Sequence, residues 1–228
     1  MLNLALAAAT FVLIHLLVSG TRVRDGLVAR LGEGPYMGLF SLASVAALVW
    51  MASAYGGARA DNLAWWGPEP ALRHAAYLLQ LLAVLLVVTG LLTPSPTSVK
   101  QEGVLDRPDP ARGVLRITRH PFLWGVAIWA AGHLLVNGDL ASLILFGSLL
   151  ALSVLGPWSI DAKRVRALGP KYRTFMEQTS NVPFGAILTG KQRLRVGEIG
   201  WRLAVALLDY LLLLLFGHPW IAGVPAVG

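Results

Sequence analysis

The sequence predicts an all-α, polytopic membrane protein with about six transmembrane helices. Six long apolar runs divide the 228 residues, and each is near the ~20 apolar residues that cross a ~30 Å hydrocarbon core. Seventeen of the nineteen lysines and arginines lie in three of the five segments between those runs, as the positive-inside rule requires of a multi-pass protein. The whole chain, residues 1–228, is expected to form a single integral membrane domain.

The six apolar runs define the predicted helices. They cover Leu2–Ser19, Tyr36–Tyr55, Ala75–Leu92, Phe122–Val136, Leu140–Trp158 and Leu203–Phe216. The fourth and the last are short, so we expect tilt, extension by flanking residues or partial insertion at these two places. No basic residue precedes the first run, which is therefore expected to be a retained helix and not a cleaved signal peptide.

The basic residues predict the orientation. Segments 20–35, 93–121 and 159–202 carry three, five and nine lysines and arginines, whereas Arg59 and Arg73 are the only ones in the other two connections. Because cytoplasmic loops retain Lys and Arg, both termini are predicted to face away from the cytoplasm.

The composition excludes several classes of site. A net charge of +7 and a pI near 10.2 are explained by the cytoplasmic loops, so anionic lipid headgroups are the expected partners and no nucleic acid is required. No protein partner is indicated by the sequence. The absence of cysteine excludes disulfides, thiolate metal sites and a cysteine nucleophile, so any metal must be held by nitrogen or oxygen.

The two outer connections differ in length. Residues 137–139 leave room only for a tight turn, which predicts an antiparallel hairpin of helices four and five. The longer connection carries Trp65 and Trp66, which are expected to anchor the chain at headgroup depth.

The two long cytoplasmic segments are expected to cover a membrane-embedded cavity that faces the cytoplasm. Segment 93–121 has too many prolines to form one helix. Segment 159–202 is predicted to continue helix five into water, to break at Gly169–Pro170, and to form a short amphipathic stretch over residues 171–176. Loops of this length that contain hydrophobic residues either fold over a site or lie on the membrane surface.

Polar side chains within the spans are the first candidates for a site, because lipid makes them unfavourable unless they face protein or water. His15 is predicted to share a helical stripe with Ser19 and Arg22, and His133 lies in the fourth span. Histidines without cysteine are compatible with an axially ligated haem or another imidazole-bound metal. The alternative is a neutral histidine hydrogen-bonded to a neighbouring helix.

Depth leaves the histidine pairing open. His15 is near the inner end of its helix and His133 is about thirteen residues from Pro121, so their depths are expected to differ by ~10 Å. By depth alone, His15 would pair with His120, and His133 with His74. His120 and His133 are about 140° apart around an ideal helix and are not expected to be partners.

Several of these segments resemble one protein family, NnrU, and the resemblance covers nearly the whole chain. The segments are Ile14–Leu17, Arg24–Glu33, Gly38–Leu42, Arg116–Gly125 and His133–Asp139. The resemblance implies a bacterial inner-membrane protein associated with denitrification and related to zeta-carotene isomerase, which is a haem protein with histidine ligation. Carried over by motif, the haem ligands are His15 and His133. Since the chain has no cysteine, a mechanism that switches to a thiolate ligand cannot operate.

The C-terminal half also resembles the isoprenylcysteine methyltransferases. Arg119-His120-Pro121 and the region from Asp161 to Phe184 carry this second resemblance. In that family the histidine region and a Glu-Glu pair help to hold S-adenosylmethionine, but here the pair reads Asp161-Ala162. One acid is shortened and the other is missing.

Arg119 and His120 are predicted to bind a carboxylate or a haem propionate, because charge-assisted hydrogen bonds favour that geometry. The alternative roles are a lipid phosphate contact for Arg119 and a helix cap for His120.

Three functions remain open at this stage. The first is a haem-dependent protein, either isomerase-like or a redox or nitric-oxide-linked component of denitrification, acting on a lipophilic or small-molecule substrate. The second is a methyltransferase-like enzyme with a membrane-soluble substrate. The third is a non-catalytic membrane partner in assembly or signalling.

Calorimetry with S-adenosylmethionine tests the methyltransferase hypothesis. We expect no detectable heat at millimolar ligand, because Ala162 removes one of the two acids that hold the cofactor. If the wild type does bind, Asp161→Ala should weaken binding about tenfold, the effect of losing one charged hydrogen bond.

Overall fold

The computed structural model describes residues 1–59 and 62–223, and these are mostly helical. The helices are α1 Leu2–Leu13, α2 Arg22–Leu31, α3 Glu33–Ala58, α4 Pro70–Leu91, α5 Pro121–Val136, α6 Leu140–Leu168, α7 Pro170–Gln178, α8 Gly185–Leu188, α9 Val196–Ile199, α10 Trp201–Leu212 and α11 His218–Ala222. Two π-helical segments, Ile14–Ser19 and Leu213–Gly217, continue α1 and α10. The remaining elements are 3-10 turns at Glu102–Asp106 and Gly113–Arg116, and strands β1 Ala64–Trp66 and β2 Gly138–Asp139.

The predicted all-α membrane architecture is confirmed. Five helical stretches among the described residues are long and apolar enough to span a membrane, namely Leu2–Ser19, Glu33–Ala58, Pro70–Leu91, Leu140–Leu168 and Trp201–Ala222. The remaining predicted span, the fourth in chain order, corresponds to α5, a shorter apolar helix of 16 residues. The last span is longer than predicted, because the helix continues beyond Phe216 to Ala222.

The chain divides into two compact units. Unit 1 contains Met1–Ala76 and Ala130–Arg166, and unit 2 contains Tyr77–Trp129 and the residues from Ala167 onward. The prediction of a single domain over residues 1–228 stays a prediction.

Small side chains hold unit 1 together. Ala7 of α1, Ala54 of α3 and Ala141 of α6 belong to one buried cluster with Leu4 and Met51, and small residues such as alanine let helices approach closely in lipid. At its other end α1 leads to Gly20, which packs directly on Ser159 of α6. The start of α1 thus lies beside the start of α6 and its end beside the later part of α6, so the two helices run in parallel.

The two connections that contain β1 and β2 pair with each other within unit 1. Strand β1 is antiparallel to β2, with Ala64 opposite Asp139 and Trp66 opposite Gly138. A side chain at residue 138 would overlap the indole of Trp66, so glycine is required there. Trp66 therefore has a packing role besides the predicted anchoring at the membrane surface.

Asp139 closes the predicted hairpin by capping α6. Its carboxylate accepts hydrogen bonds from the backbone N–H and the hydroxyl of Ser142, at 2.9 and 2.7 Å, and from the Asn62 amide at 2.5 Å. Burial raises the pKa of this carboxyl, but the hydrogen bonds outweigh burial and hold the pKa below its ordinary value.

In unit 2, glycines bring α4 and α5 into backbone contact. A Cβ at Gly90 would lie 2.9 Å from the Pro121 ring, and one at Gly125 would lie 2.8 Å from the Ala83 carbonyl oxygen. Across the same contact, the Gln80 amide donates to the Trp129 carbonyl at 3.1 Å. Gln80 is thus a structural residue between these two helices.

The predicted break at Gly169–Pro170 is confirmed, and α7 begins at Pro170. Its apolar side chains Tyr172 and Phe175 are fully buried in protein. The apolar face of α7 therefore packs against the rest of the protein and does not lie on the membrane surface.

One local prediction is wrong. Arg22 does not share a helical stripe with His15, because the chain leaves helical geometry at Thr21, which is extended (φ −112°, ψ −177°) and caps a new helix, α2. The turn from His15 to Ser19 is also π-helical, so a spacing of four residues does not place side chains on one face.

Reporter fusions test the predicted orientation. Fusions after Gly103 and Gly190, both exposed in the basic segments, should report a cytoplasmic location. A fusion after Gly228, which lies outside the described residues, should report an external one. The opposite pattern would invert the topology and move every proposed site to the other membrane face.

Candidate functional site

His15 lies in the π-helical segment that continues α1 and is half-buried. Its Nδ1 is 2.7 Å from the carbonyl oxygen of Phe11. Because a carbonyl only accepts, Nδ1 carries the proton, so in the neutral ring the lone pair is on Nε2. The ring packs against Phe11 and Phe40, with centroids 4.4 and 5.2 Å away. His15 therefore offers a neutral imidazole nitrogen, oriented by its backbone contact, within a membrane span.

His133 lies in the last turn of α5 and is also half-buried. Its ring stacks on Phe146 of α6, with centroids 4.6 Å apart and planes 21° from parallel. Its carbonyl accepts a 2.8 Å hydrogen bond from the Asn137 amide, next to the turn into α6. The ring is thus held against the other helix of the hairpin.

Both histidines belong to unit 1, and their positions along the helix axes can be compared through their contacts with α6. His133 stacks on Phe146, and Gly20 packs on Ser159, thirteen residues further along α6. His15 precedes Gly20 by five residues on a parallel helix, so its backbone lies about eight residues, or ~12 Å, beyond the level of His133.

The directions of the two helices reduce this offset. Side chains in an α-helix lean toward its N-terminus. Since α1 is parallel to α6 and α5 is antiparallel to it, His15 leans toward the level of His133, and His133 leans toward the level of His15. The 4.4 Å contact of His15 with Phe11, one turn earlier, agrees with this lean.

In unit 2, Arg119 and His120 are both buried at the start of α5, with 7% and 3% of their surface exposed. The Thr118 hydroxyl accepts the His120 backbone N–H at 3.2 Å and donates to the Asn181 carbonyl at 2.5 Å. The Arg119 backbone N–H donates to the Ser180 carbonyl at 2.9 Å. Buried ionisable side chains are more frequent at functional sites than elsewhere. The predicted carboxylate-binding role of Arg119 and His120 stays a prediction.

Asn181 leaves one polar group unused in this region. Its side-chain oxygen accepts the indole N–H of Trp124 at 3.2 Å. Its buried amide nitrogen has no hydrogen-bond partner among the described residues. Buried donors are normally paired, so this N–H is available to a ligand or a water molecule.

Asp161 is buried in the part of α6 that belongs to unit 1, with 5% of its surface exposed. Its predicted role in cofactor binding stays a prediction. Within the described residues, no group of three or more His, Asp or Glu side chains is placed to hold a metal ion.

An ion-pair network around the buried Arg116 joins two segments of unit 2 that lie far apart in the sequence. The Arg116 guanidinium donates to Glu198 at 2.8 and 2.9 Å, to Asp109 at 2.5 Å and to Gln192 at 2.5 Å. The backbone N–H of Gly113 also donates to Glu198 at 3.0 Å. The hydrogen bonds from Arg116 lower the pKa of Glu198 to about 2, and Glu198 in turn raises the pKa of Arg116.

Residues 3–226 match a protein family described as NnrU protein. The chain belongs to the NnrU family.

Two curated relatives of this NnrU-family protein are plant enzymes. The 15-cis-zeta-carotene isomerase, chloroplastic, of Zea mays is 30% identical over 106 residues, which cover 45% of this chain and 29% of the relative. The enzyme of the same name from Arabidopsis thaliana is 30% identical over 104 residues, covering 44% and 28%. The similarity thus extends over less than a third of each relative's length. No solved structure gives a significant match.

Some functional candidates in this NnrU-family protein were not predicted from the sequence. Thr118, Asn181 and Glu198 form hydrogen bonds with residues 57 to 82 positions away along the chain, which no local pattern reveals. Asp209 is different, because it is an acidic residue inside the apolar run 203–216, and the rule that identified His15 would also have identified it.

Glu198→Gln tests the ion-pair network of this NnrU-family protein. Losing one partner of a buried pair leaves Arg116 undercompensated, so we expect a loss of about 3 kcal/mol in the free energy of unfolding, measured by thermal denaturation in detergent micelles at neutral pH. Asp106→Asn is the matched control, since it breaks an exposed 2.7 Å pair with Lys171 and should change stability by no more than about 1 kcal/mol.

The pH dependence of stability gives a second measurement on the same variant. Because the folded-state pKa of Glu198 is depressed from 4.5 to about 2, its stabilisation is complete above pH 4.5 and decreases as the pH falls toward 2. Glu198→Gln should lack this part of the pH dependence. Equal pH profiles for the wild type and the variant would contradict the assigned role of Glu198.

Proposed function

We propose that this NnrU-family protein is a haem-binding, isomerase-like membrane protein that acts on a lipophilic conjugated substrate. The observation that carries the proposal is the geometry of His15. A neutral imidazole with its Nδ1–H bonded to a backbone carbonyl and its Nε2 lone pair available is the arrangement that metal-ligating histidines use. The similarity to two enzymes named 15-cis-zeta-carotene isomerase supports the reaction class.

The surroundings of His15 and His133 suit a large apolar macrocycle. Phe11 and Phe40 flank the first imidazole, and Phe146 stacks on the second. Both histidines lie in spans whose other residues are almost all apolar. Neutral imidazoles in an apolar setting are ordinary axial ligands of haem iron.

The offset of ~12 Å between the two backbones is compatible with a shared iron. Each imidazole would reach a shared iron through its side chain, so the two backbones need not lie at the same level. The opposed lean of the two side chains brings the rings closer than the backbones. We therefore assign His15 and His133 as the haem ligands.

A bound haem would supply a redox-active iron in an apolar setting, where it can withdraw or donate electron density at a conjugated double bond. Isomerisation transfers no atom to a second molecule, so the protein residues need only hold the ligand and the substrate and keep water away. His15, whose ring is oriented by its contact with the Phe11 carbonyl, would be one of the two residues that hold the haem. The aromatic rings of Phe11, Phe40 and Phe146 provide apolar surface beside it.

An absorption spectrum of the purified protein, supplemented with haem, tests the cofactor. We expect a Soret band whose position and coordination state change in His15→Ala and in His133→Ala, because each variant loses one axial ligand. His74→Ala is the matched control. His74 makes the same 2.7 Å bond from Nδ1 to a carbonyl four residues earlier, but it is exposed near the start of α4, and its variant should keep the wild-type spectrum.

The outcomes separate the possible ligand pairs. No Soret band after supplementation would overturn the haem assignment. A spectral change in His120→Ala without one in His133→Ala would replace His133 by His120, as depth alone predicts. The association with denitrification is not addressed by this experiment and stays a prediction.

Conversion of 15-cis-zeta-carotene, the substrate named for the relatives, tests the reaction class. Wild-type protein in lipid nanodiscs should change the cis–trans ratio, followed by chromatography. His15→Ala should lower the rate at least about tenfold, the scale seen when metal-site contacts are lost. Haem binding without any conversion would leave the cofactor assignment in place and overturn the isomerase assignment for this substrate.

A further inference from the structure

A charged cavity lies in unit 2, between the residues that follow the Glu102–Asp106 turn and the start of α9. Its volume is about 410 Å³, at the lower end of the ~300–1,000 Å³ range of small-molecule sites. Among the described residues that line it, all but Pro108 carry a formal charge, namely Arg107, Asp109, Arg112, Arg195 and Glu198. Such walls suit an ionic ligand and not a hydrocarbon.

Positive charge is in excess around this cavity. Both of its acids are already used by the buried Arg116, whose guanidinium donates to Asp109 and to both carboxylate oxygens of Glu198. The three arginines of the wall and Arg116 together carry four positive charges against the two negative charges of these acids. The next acid along the chain, Asp106, pairs with Lys171 at 2.7 Å and does not reduce the excess of two.

The arginines of the wall have donors to spare. Among the described residues, no hydrogen bond or ion pair is found for the guanidinium of Arg107 or for that of Arg112. Arg195 makes one contact of 3.3 Å with Glu198. Since each guanidinium has five N–H donors in a planar fork, most donors of these three side chains are available to a ligand.

The local backbone fixes where the two arginines without a partner begin. Pro108 restricts Arg107 to extended backbone, and its ψ is 150°. Arg112 is also extended, with φ −83° and ψ 152°, and is followed by the buried Gly113. The backbone N–H of Gly113 donates to Glu198 on the cavity wall at 3.0 Å. The fold therefore sets both positions before a ligand arrives, which lowers the cost of ordering them on binding.

We propose that this cavity binds the phosphate group of a phosphate monoester, and that Arg107 and Arg112 donate hydrogen bonds to its oxygens. A phosphate monoester carries nearly two negative charges at neutral pH, which matches the excess of two. A single carboxylate would leave half of that excess uncompensated. The planar fork of arginine also fits two phosphate oxygens at once. The site lies wholly in unit 2 and does not depend on the proposed haem ligands.

The phosphate can belong to a soluble ester or to a lipid headgroup, and two matched probes distinguish these sources. Glycerol 3-phosphate and phosphatidic acid carry the same phosphate monoester, the first in water and the second in the membrane. Calorimetry on the protein in phosphatidylcholine nanodiscs measures binding of the soluble ester. Native mass spectrometry of the protein from nanodiscs that also contain phosphatidic acid detects the lipid that stays bound.

Substitution of both arginines tests the site. The double variant Arg107→Gln, Arg112→Gln should weaken binding of the probe that the wild type binds by at least about tenfold, the effect of losing charged hydrogen bonds. Because neither guanidinium has a partner among the described residues, the variant should fold normally, which thermal denaturation checks. The double variant Arg173→Gln, Arg193→Gln is the matched control. It removes the same charge from two exposed positions of unit 2 outside the cavity and should bind as the wild type does.

The possible results either support the site or overturn it. Glycerol 3-phosphate binding that is weakened only in the cavity variant supports a soluble ester. Phosphatidic acid retention that is lost only in the cavity variant supports a lipid headgroup. Equal weakening in the cavity variant and the control would show attraction by net charge alone and would overturn the site, as would the absence of binding of both probes to the wild type.

Succinate tests the choice of phosphate, because it is a dianion without a phosphate group. We expect succinate to bind the wild type at least about tenfold more weakly than glycerol 3-phosphate or, if only the lipid binds, to leave phosphatidic acid in place. Succinate that binds as tightly as the phosphate probe, or that displaces it, would overturn the assignment to a phosphate monoester.

Discussion

The lack of hydrogen-bonding partners in lipid is the constraint on which this structure depends. Within the hydrocarbon core each backbone N–H and C=O must be satisfied inside its own segment, so the spans are helical from end to end. Even where α1 and α10 depart from α geometry, they continue as π-helix and do not open. Irregular backbone, the short β1–β2 pair and the 3-10 turns are found in the connections between the spans. The polar chemistry of the spans is therefore left to a few side chains.

Those side chains differ in which of their polar atoms remain without a hydrogen bond inside the protein. Gln80 donates its amide to the Trp129 carbonyl and joins two helices. His15 uses one ring nitrogen on the Phe11 carbonyl and keeps the other. Asp209 lies beside an apolar groove, and no hydrogen bond or ion pair of its carboxyl is found among the described residues. A polar residue in a span thus becomes a candidate for ligand binding through the atoms that the fold does not use, and not through its presence alone.

Local rules predicted most of the architecture. Apolar runs predicted the spans, and Gly169–Pro170 predicted the break after α6, because each signal is contained in a short stretch of sequence. The stripe from His15 to Arg22 failed because it assumed 3.6 residues per turn where the helix is π and then ends.

Contacts between distant segments could not be predicted in this way. Trp66 on Gly138 and Arg116 on Glu198 join residues that are more than 70 positions apart. For the candidate site, the sequence identified His15 and His133 as individual residues. Their relative level, the free Nε2 and the aromatic neighbours required the packing of α1, α3, α5 and α6.

The π-helical segment at His15 has a consequence for how sequences of this kind can vary in length. A π turn holds one residue more than the α turn it replaces, and that residue rotates everything after it by about 100°. Deleting one residue between Phe11 and Gly20 would restore a regular helix, but Gly20 would then face away from Ser159 of α6. The spacing between the histidine and the glycine is thus a fixed register, and insertions or deletions are tolerated more readily in the connections than in this turn.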